Sequence, residues 1–453
     1  WVPCMDAPAV RFTYSANIHC PSDLMALMSA ENSPVKSRDG NYTFNMPQAI
    51  PSYLLALTIG DFEFRSLGKN CGVFAEPAMI EKAYNEFSDL PNMLKVASEM
   101  YGPYGWGRYD VVVMPPSFPF GGMENPRVTF ATPTIIVGDK SLVSLIAHEL
   151  AHSWSGNLVT NNTWNDFWLN EGFTVYFEGR IMEKLYGKDY ADMLAEISFG
   201  ELQTTLEDLK DKPEDTKLYL NLKDRDPDEG VSDIAYVKGC FFLKSIEDNV
   251  GRKKWDAFLN AYFKNFAWKT VTTQQFIDFL EANLIAKNPG LKINYNEWIY
   301  GRGLPANCPV VKSAEFEKVE QSIAKLMQTQ EVEKLDVKGW TTHHWLHFMR
   351  NLPVDSINPI MGRLDTAFNL TGSANAEIQC DWYGLCIDNN YTLAYPAIEE
   401  FLCNVGRRKF VKPLFEKLVK TPEGKEFAKK IFARAEKTYH AVTADTVRDI
   451  LEN

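Results

Sequence analysis

The sequence lacks long hydrophobic runs and is poor in positive charge. No apolar stretch approaches the roughly 18 residues of a membrane-spanning helix, so we expect no membrane-embedded segment. Lysine and arginine number 47 against 59 acidic residues, which gives a formal net charge of −12. Because nucleic-acid binding requires a basic face, we expect no nucleic-acid partner, whereas a cationic ligand such as a peptide amino terminus would be attracted.

Paired cysteine motifs and targeting signals are also missing. The eight cysteines include no Cys-x-x-Cys pair, which excludes a zinc finger of that type and a thioredoxin motif. Scattered cysteines favour reduced thiols, and we therefore expect a cytoplasmic protein. We also expect a monomer. The chain has neither an initiator Met nor a signal peptide and begins at Trp1 inside a β-rich segment, which leaves open whether it is a fragment.

The composition and periodicity indicate a multidomain α+β protein. A length of 453 residues at about 150 residues per domain favours three domains. Residues 1–62 alternate polar and apolar side chains, which predicts antiparallel β structure, and residues 63–303 mix helix and strand patterns. Residues 304–314 form a linker punctuated by proline and glycine. Residues 315–453 carry helical periodicity and predict an all-α domain whose helix pairs could stack in an armadillo-like layer.

Two histidines and two glutamates form the strongest chemical signal in the chain. His148 and His152 are four residues apart, so on a helix both imidazoles project from one face toward a single metal ion. Glu171, at the head of a second helical stretch, supplies a third ligand, and this set predicts one zinc ion per chain with an open position for water. Water bound to such a zinc loses a proton near pH 7, and Glu149 is placed to accept that proton.

A third carboxylate has two interpretations. Glu178 follows Glu171 by seven residues, about two helical turns, and so lies on the same helix face. From there it could orient a ligand histidine through a hydrogen bond. The alternative is an ordinary solvated carboxylate, and the sequence favours neither interpretation strongly.

These motifs resemble the gluzincin aminopeptidases, metallopeptidase family M1. Eighteen residues separate His152 from Glu171, as in that family, and the loop at 121–125, Gly-Gly-Met-Glu-Asn, matches its second hallmark. The residues in and around both motifs are most similar to the leukotriene A-4 hydrolase type of aminopeptidase. An animal enzyme or a cold-active bacterial homologue fits equally well. The resemblance covers residues 1 to about 303, thins afterwards and recovers at 406–413. It implies a thermolysin-like α/β catalytic domain and peptide substrates with a free amino terminus.

The resemblance also implies roles for residues outside the zinc motif. The carboxylate of Glu124 would hold the substrate ammonium group by charge-assisted hydrogen bonds. The Tyr236 phenol would stabilise the oxyanion of the tetrahedral intermediate. The remaining implied substrate contacts are Gly121, Gly122 and Met123 in the loop, Asp228 in an acidic loop, and the basic pair Arg407 and Lys409, which would receive a substrate carboxylate.

The sequence departs from the family at two positions and leaves several functions open. Phe120 and Val231 stand where tyrosines are expected, which changes the substrate pocket. The function we predict is a zinc aminopeptidase acting on short peptides. The alternatives are a bifunctional epoxide hydrolase and aminopeptidase, for which Asp228 would be needed, a thermolysin-like endopeptidase, and a catalytically silent zinc-binding scaffold.

Overall fold

The computed structural model describes residues 1–452, which divide into two compact units. The first unit comprises Trp1–Val112, Glu124–Phe130 and Ser144–Val311. The second comprises Val113–Met123, Ala131–Val143 and the chain from Lys312 onward. The boundaries expected at residues 62, 303 and 314 stay predictions.

Strands dominate the first part of the chain, and helices dominate the rest. The strands are β1 (Arg11–His19), β2 (Met25–Met28), β3 (Asn41–Pro51), β4 (Leu57–Gly60), β5 (Glu63–Gly68), β6 (Cys71–Ala75), β7 (Tyr109–Val113), β8 (Gly122–Met123), β9 (Val128–Ala131), β10 (Val159–Asn161) and β11 (Lys269–Val271). The helices are α1 (Ile80–Glu86), α2 (Leu90–Tyr101), α3 (Ser144–Ala151), α4 (Trp168–Tyr186), α5 (Lys188–Asp208), α6 (Gly239–Val250), α7 (Arg252–Phe266), α8 (Thr273–Leu280), α9 (Tyr295–Tyr300), α10 (Ala314–Thr329), α11 (Thr342–Arg350), α12 (Asn358–Phe368), α13 (Ala376–Asp388), α14 (Tyr395–Asn404), α15 (Arg408–Leu418), α16 (Pro422–Ala435) and α17 (Ala441–Glu452).

The amino-terminal part of the first unit is antiparallel β structure, as the alternation of side chains predicts. Strand β1 pairs with β3, and β2 pairs with β4, both antiparallel. Every second residue in the first half of β3 is buried, because successive side chains of a strand point to opposite faces. The short 3-10 turn Ser52–Leu54 follows β3 and carries Tyr53, whose hydroxyl reaches Glu124.

Helix α4 is the central element of the first unit. It packs against α2, α3, α5 and α6 and against a π-helical segment, Ile234–Lys238. It ends at Tyr186, with Gly187 at a positive φ of 92° as its C-cap. A sheet in which β5, β6, β7 and β9 follow one another lies in the same unit, and all five residues of β7 are buried.

The described chain beyond Lys312 is helical and has no strands, which confirms the predicted all-α carboxy-terminal part. Helix α10 begins after Ser313, whose hydroxyl accepts the Phe316 N–H, and its apolar residues join a shared core with those of α11 to α17. Within residues 1–452, none of the helices combines the length and apolar character that a membrane crossing requires.

Candidate active site and metal centre

The two motif histidines converge on one point beside the end of α3. The helix ends at Ala151, but the His152 N–H still donates to the His148 carbonyl at 3.2 Å, so the helical path continues to the second histidine. The two Nε2 atoms lie 3.2 Å apart. Two groups that both point a ring nitrogen at the same small volume have the arrangement of metal ligands.

Glu171 brings a carboxylate oxygen to the same point from the first turn of α4. Its Oε2 lies 3.4 Å from His148 Nε2 and 3.5 Å from His152 Nε2. Ligand atoms about 2.0–2.1 Å from a tetrahedral zinc are about 3.3–3.4 Å from one another, so the three observed separations fit zinc. Oε2 is also a buried oxygen with no hydrogen-bond partner among the described residues. A buried anionic oxygen without a donor calls for a cation, and His148, His152 and Glu171 can hold one.

The other ring nitrogens have partners that fix the orientation of both imidazoles. His148 Nδ1 lies 3.1 Å from Glu178 Oε2. His152 Nδ1 lies 3.1 Å from the Ser155 carbonyl and 3.1 Å from Thr174 Oγ1. A proton on each Nδ1 satisfies these acceptors and leaves both Nε2 lone pairs free for a metal. Glu178 therefore lies where it can orient the His148 ring through a hydrogen bond, as the first of its two interpretations states.

The charges of the ligand set are strongly coupled. Burial lowers the pKa of His148, but the nearby carboxylates of Glu171 and Glu178 outweigh this effect and raise that pKa well above its usual range. Burial raises the pKa of Glu171, and the positive charges of His152 and His148 reverse this and hold it below its usual range. The site thus stabilises a negative carboxylate next to positively charged imidazole. A bound divalent cation would supply this positive charge in place of the imidazole protons.

Glu149 lies in the same buried region. Burial raises the pKa of Glu149 well above its usual range, and the neighbouring carboxylates of Glu124 and Glu171 raise it further against the opposing effect of His148. A carboxylate whose pKa is raised is a stronger base than a solvated one, as proton abstraction near neutral pH requires. Oxygens of Glu124 and Glu149 also group with a ring nitrogen of His152 within 4.8 Å.

Tyr236 lies on the π-helical segment, where its ring faces a ligand histidine. Its ring centroid is 6.2 Å from that of His148, with an interplanar angle of 11°. Burial raises the pKa of Tyr236 well above its usual range, and the carboxylates of Glu171 and Glu124 add to this effect. The phenol therefore stays protonated and can donate a hydrogen bond at neutral pH.

Glu124 is buried and held by groups that sequence reasoning did not identify. The side-chain amide of Asn157 donates to the Glu124 carbonyl at 2.8 Å. The Tyr53 hydroxyl donates to Glu124 Oε1 at 3.4 Å and accepts from the Asn170 side-chain amide at 3.4 Å. Burial raises the pKa of Glu124. No local pattern marks Tyr53, because it lies in a short turn 71 residues before its partner.

The residues before Glu124 belong to the second unit. Gly121, Gly122 and Met123 are partly exposed there, and the Gly121 carbonyl accepts the Thr132 N–H at 2.9 Å. Phe120, one of the two departures from the family pattern, is 46% exposed. The partial exposure of this segment is compatible with a substrate contact.

Arg407 and Lys409 also lie in the second unit, where both bind an internal carboxylate. Arg407 Nη1 lies 3.2 Å from Glu377 Oε1, and Lys409 Nζ lies 3.0 Å from Glu377 Oε2. Arg407 Nη1 also donates to Thr134 Oγ1 at 3.1 Å. Burial raises the pKa of Glu377, but the charges of Lys409 and Arg407 reverse this and lower it to about 2. The sequence did not point to Glu377, which lies 30 residues before Arg407.

Asp228 lies in an exposed 3-10 turn, Pro227–Gly230, in the first unit. Its backbone N–H donates to the Asp226 carboxylate at 3.0 Å. The ion pairs of this loop are made by Arg225, with Asp215 and Glu229. Val231, the second departure from the family pattern, is 53% exposed just after the turn.

Two family descriptions match this chain. Residues 86–298 match the peptidase family M1 domain, and residues 340–451 match the leukotriene A4 hydrolase carboxy-terminal domain. Leukotriene A-4 hydrolase of Xenopus laevis is 36% identical over 461 residues, which cover 98% of this chain and 75% of the relative. Aminopeptidase B of Mus musculus is 34% identical over 469 residues, which cover 99% of this chain and 72% of the relative.

Solved structures give the same assignment. A yeast leukotriene A4 hydrolase in complex with bestatin superposes with a TM-score of 0.92 at 31% identity, covering 100% of this chain and 76% of that one. An M1 zinc metallopeptidase from Deinococcus radiodurans bound to a Tyr-Ser-Ala substrate has a TM-score of 0.55 at 25% identity, covering 69% of this chain and 68% of that one. These matches confirm the predicted α+β multidomain fold, and with the zinc-ready site they show that the chain belongs to peptidase family M1 and is a zinc aminopeptidase of that family.

Proposed function

We propose that this enzyme removes the amino-terminal residue from short peptides and holds one zinc ion per chain on His148, His152 and Glu171. The observation that carries the proposal is the convergence of three ligand atoms that lie 3.2, 3.4 and 3.5 Å from one another. One of them is the buried Glu171 oxygen that has no hydrogen-bond partner among the described residues. When bound, zinc would acidify a water molecule and polarise the scissile carbonyl.

The side chains around this point supply the remaining steps. Glu149 accepts the proton of the attacking water and passes it to the leaving amine, for which its raised pKa suits it. Tyr236 donates a hydrogen bond to the carbonyl oxygen as negative charge develops there, a contribution of about 3 kcal/mol in comparable sites. Glu178 holds the His148 ring in the orientation that directs Nε2 to the ion.

Glu124 gives the reaction its direction along the substrate. A buried carboxylate that accepts hydrogen bonds from a free α-ammonium group favours substrates cut at their first peptide bond. Gly121, Gly122 and Met123 would flank the substrate backbone, and Arg407 with Lys409 would bind a substrate carboxylate if it displaces Glu377. A thermolysin-like endopeptidase would have no use for Glu124.

The test is a panel of aminoacyl reporters assayed with and without a chelator. We expect hydrolysis that the chelator abolishes, and loss of turnover in Glu149→Gln with zinc still bound. Glu207→Gln, the same change at an exposed residue that pairs with Lys210, should keep wild-type turnover. Unchanged hydrolysis in Glu149→Gln would refute the scheme. Cleavage of amino-terminally blocked peptides would favour the endopeptidase, and bound zinc without hydrolysis of any reporter would favour the silent zinc-binding scaffold.

Lipid-epoxide hydrolysis is the second candidate function. The match of residues 340–451 to the leukotriene A4 hydrolase carboxy-terminal domain favours it, together with an exposed Asp228. The test is incubation with the lipid epoxide followed by product analysis. A diol product that disappears in Asp228→Asn supports the second activity, and the absence of a diol from the wild-type reaction means that the enzyme is an aminopeptidase alone.

We also infer a cytoplasmic monomer that binds no nucleic acid. All eight cysteines have free thiols, which suits a reducing compartment, and the net charge of −12 disfavours phosphate backbones. Light scattering during size-exclusion chromatography would detect a dimer if this is wrong.

A further inference from the structure

Lys238 is a fully buried lysine for which the proposed reaction has no direct use. It is the last residue of the π-helical segment Ile234–Lys238 that carries Tyr236, and its relative exposure is 0%. Its Nζ donates to the Thr216 carbonyl at 2.7 Å and to the Gly301 carbonyl at 3.0 Å. Both partners are neutral, and burial lowers the pKa of Lys238 to about 7. Burying an amine in this way is costly, so the two bonds call for an explanation.

The two acceptors belong to segments that are fixed to each other. Thr216 ends the 3-10 turn Pro213–Thr216, and Gly301 directly follows α9. The Gly303 N–H donates to the Thr216 hydroxyl at 2.8 Å, which ties the two segments together. Lys238 therefore attaches the end of the Tyr236 segment to both the Thr216 turn and the residue after α9.

The next residue along the chain fixes the same segment against the zinc ligand. A Cβ on Gly239 would lie 2.9 Å from the Gly172 Cα, and a Cβ on Gly172 would lie 2.8 Å from the Gly239 Cα. The two backbones are therefore in contact, and Gly172 directly follows Glu171. This contact sets the spacing between the segments, whereas the bonds of Lys238 prevent the π-helical turn from rotating about it. Isolated π-helical turns are uncommon and occur mostly at functional sites, where surrounding contacts hold them.

We propose that Lys238 is a positioning residue that holds Tyr236 in the orientation needed to donate to the reacting carbonyl oxygen. This inference rests on the proposed function of Tyr236. It assigns Lys238 no contact with substrate or metal. Its effect on catalysis is transmitted through the backbone between residues 236 and 238.

A double-mutant cycle tests this dependence. The variants are Lys238→Met, Tyr236→Phe and the combination of both, with kcat and KM measured on an aminoacyl reporter and zinc content measured alongside. We expect Tyr236→Phe to lower kcat by about 100-fold or more. Lys238→Met should lower kcat by about tenfold with KM and zinc unchanged. In the Tyr236→Phe background the same change should alter kcat by less than about twofold, because the residue that it positions is already disabled.

The control is Lys254→Met, the same substitution at an exposed lysine whose ammonium group donates to the Asn288 side chain, and it should keep wild-type kinetics. Equal losses from Lys238→Met in both backgrounds would overturn the proposal, since Lys238 would then act independently of Tyr236. Wild-type kcat in Tyr236→Phe would instead contradict the role of Tyr236 itself, and the positioning role with it. If Lys238→Met does not fold, Lys238→Gln, which keeps an N–H donor on a shorter side chain, takes its place in the same cycle. We then expect a smaller loss of kcat that again disappears in the Tyr236→Phe background, and an equal loss in both backgrounds overturns the proposal.

Discussion

Glu124, the carboxylate proposed to bind the substrate ammonium group, is held by a phenol from the amino-terminal β region. Tyr53 donates to Glu124 and accepts from Asn170, the residue immediately before the candidate zinc ligand Glu171. One side chain thus connects the proposed amine pocket with the metal centre. Burial raises the pKa of Tyr53 well above its usual range, and Glu124 and Glu171 add to this, so the phenol remains a donor.

We predict that Tyr53→Phe raises KM for aminoacyl reporters about three- to tenfold and changes kcat less than about twofold. One hydrogen bond contributes about 0.5–1.5 kcal/mol, and this bond orders the group that binds the ground state and the transition state alike. Steady-state kinetics checks the prediction. Tyr295→Phe is the matched control, because it removes a phenol–carboxylate bond with Glu281 on the surface. A fall in kcat at unchanged KM would show that Tyr53 acts on the chemical step instead.

Glu377 makes stability depend on pH through a buried ion pair. Its pKa is lowered to about 2 by Lys409 and Arg407 against the effect of burial. A carboxylate with a lowered folded-state pKa contributes stability that is complete above its unfolded pKa of about 4.3 and is lost as the pH falls toward 2. The shift corresponds to at most about 3 kcal/mol.

We therefore predict that Glu377→Gln lowers the melting temperature at pH 7, where it leaves Arg407 buried without its anion. The difference between wild type and variant should shrink as the pH is lowered from about 4.5 toward 2. Thermal melts at a series of pH values measure this. Glu426→Gln, which removes an exposed pairing with Lys429, should give a difference close to zero throughout. A constant difference across the acid range would contradict the linkage.

Helix α4 is the element on which the site is built. It carries Glu171, Thr174 and Glu178 on one face, and these contribute the third candidate ligand and contacts to both imidazole rings. Its later turns are anchored by Tyr176, which donates to Glu247 at 2.6 Å, and Arg180, which pairs with Asp256 at 2.9 Å. A helix held at its far end by buried polar contacts presents its ligands with little freedom.

Helix α4 and the chain directly after the π-helical segment are in backbone contact at Gly172 and Gly239, so a side chain at Gly172 should be costly. A methyl group there would lie 2.8 Å from the Gly239 Cα and 3.1 Å from the Ala235 carbonyl, both backbone atoms that cannot move aside cheaply. Gly172→Ala should therefore lower the free energy of unfolding by about 1–3 kcal/mol and reduce kcat as Tyr236 is displaced.

Chemical denaturation and steady-state kinetics check this prediction. Gly179→Ala is the control on the same helix, because a Cβ at Gly179 meets no atom within 4 Å. That variant should be neutral or more stable by up to about 1 kcal/mol. Equal stability of the two variants would contradict the prediction, because it would mean that the Gly172–Gly239 backbone contact can widen without loss of folding free energy.

The two compact units should respond differently to loss of the metal. All three candidate ligands lie in the first unit, so zinc bound there stabilises the folded state of that unit by mass action. We predict that a chelator speeds amide hydrogen exchange in peptides from α3 and α4. Exchange in peptides from α13 and α15 of the second unit should be unchanged. Mass spectrometry of exchanged peptides, with zinc restored as the control, measures both, and uniform acceleration would contradict the prediction.

Much of the fold was predictable because its signals are local. The alternation in β3 and the helical spacing of α10 each depend on neighbours a few residues away, and both elements form as expected. Glu178 shows the limit of such reasoning. Spacing placed it on the face of Glu171, but only the position of α3 beside α4 decided that it meets His148 and not water.

The sequence by itself determined that this chain is a zinc peptidase, since the ligand spacing of His148 and His152 follows from the period of a single helix. Tertiary structure alone decided that Tyr53 contacts Glu124, that Glu377 pairs with Arg407, and that the buried Lys238 ammonium group donates to the Thr216 carbonyl. The physical reason is range. Helical and strand periodicity is set by the bonded chain, whereas contacts between residues tens of positions apart depend on how separately formed elements pack.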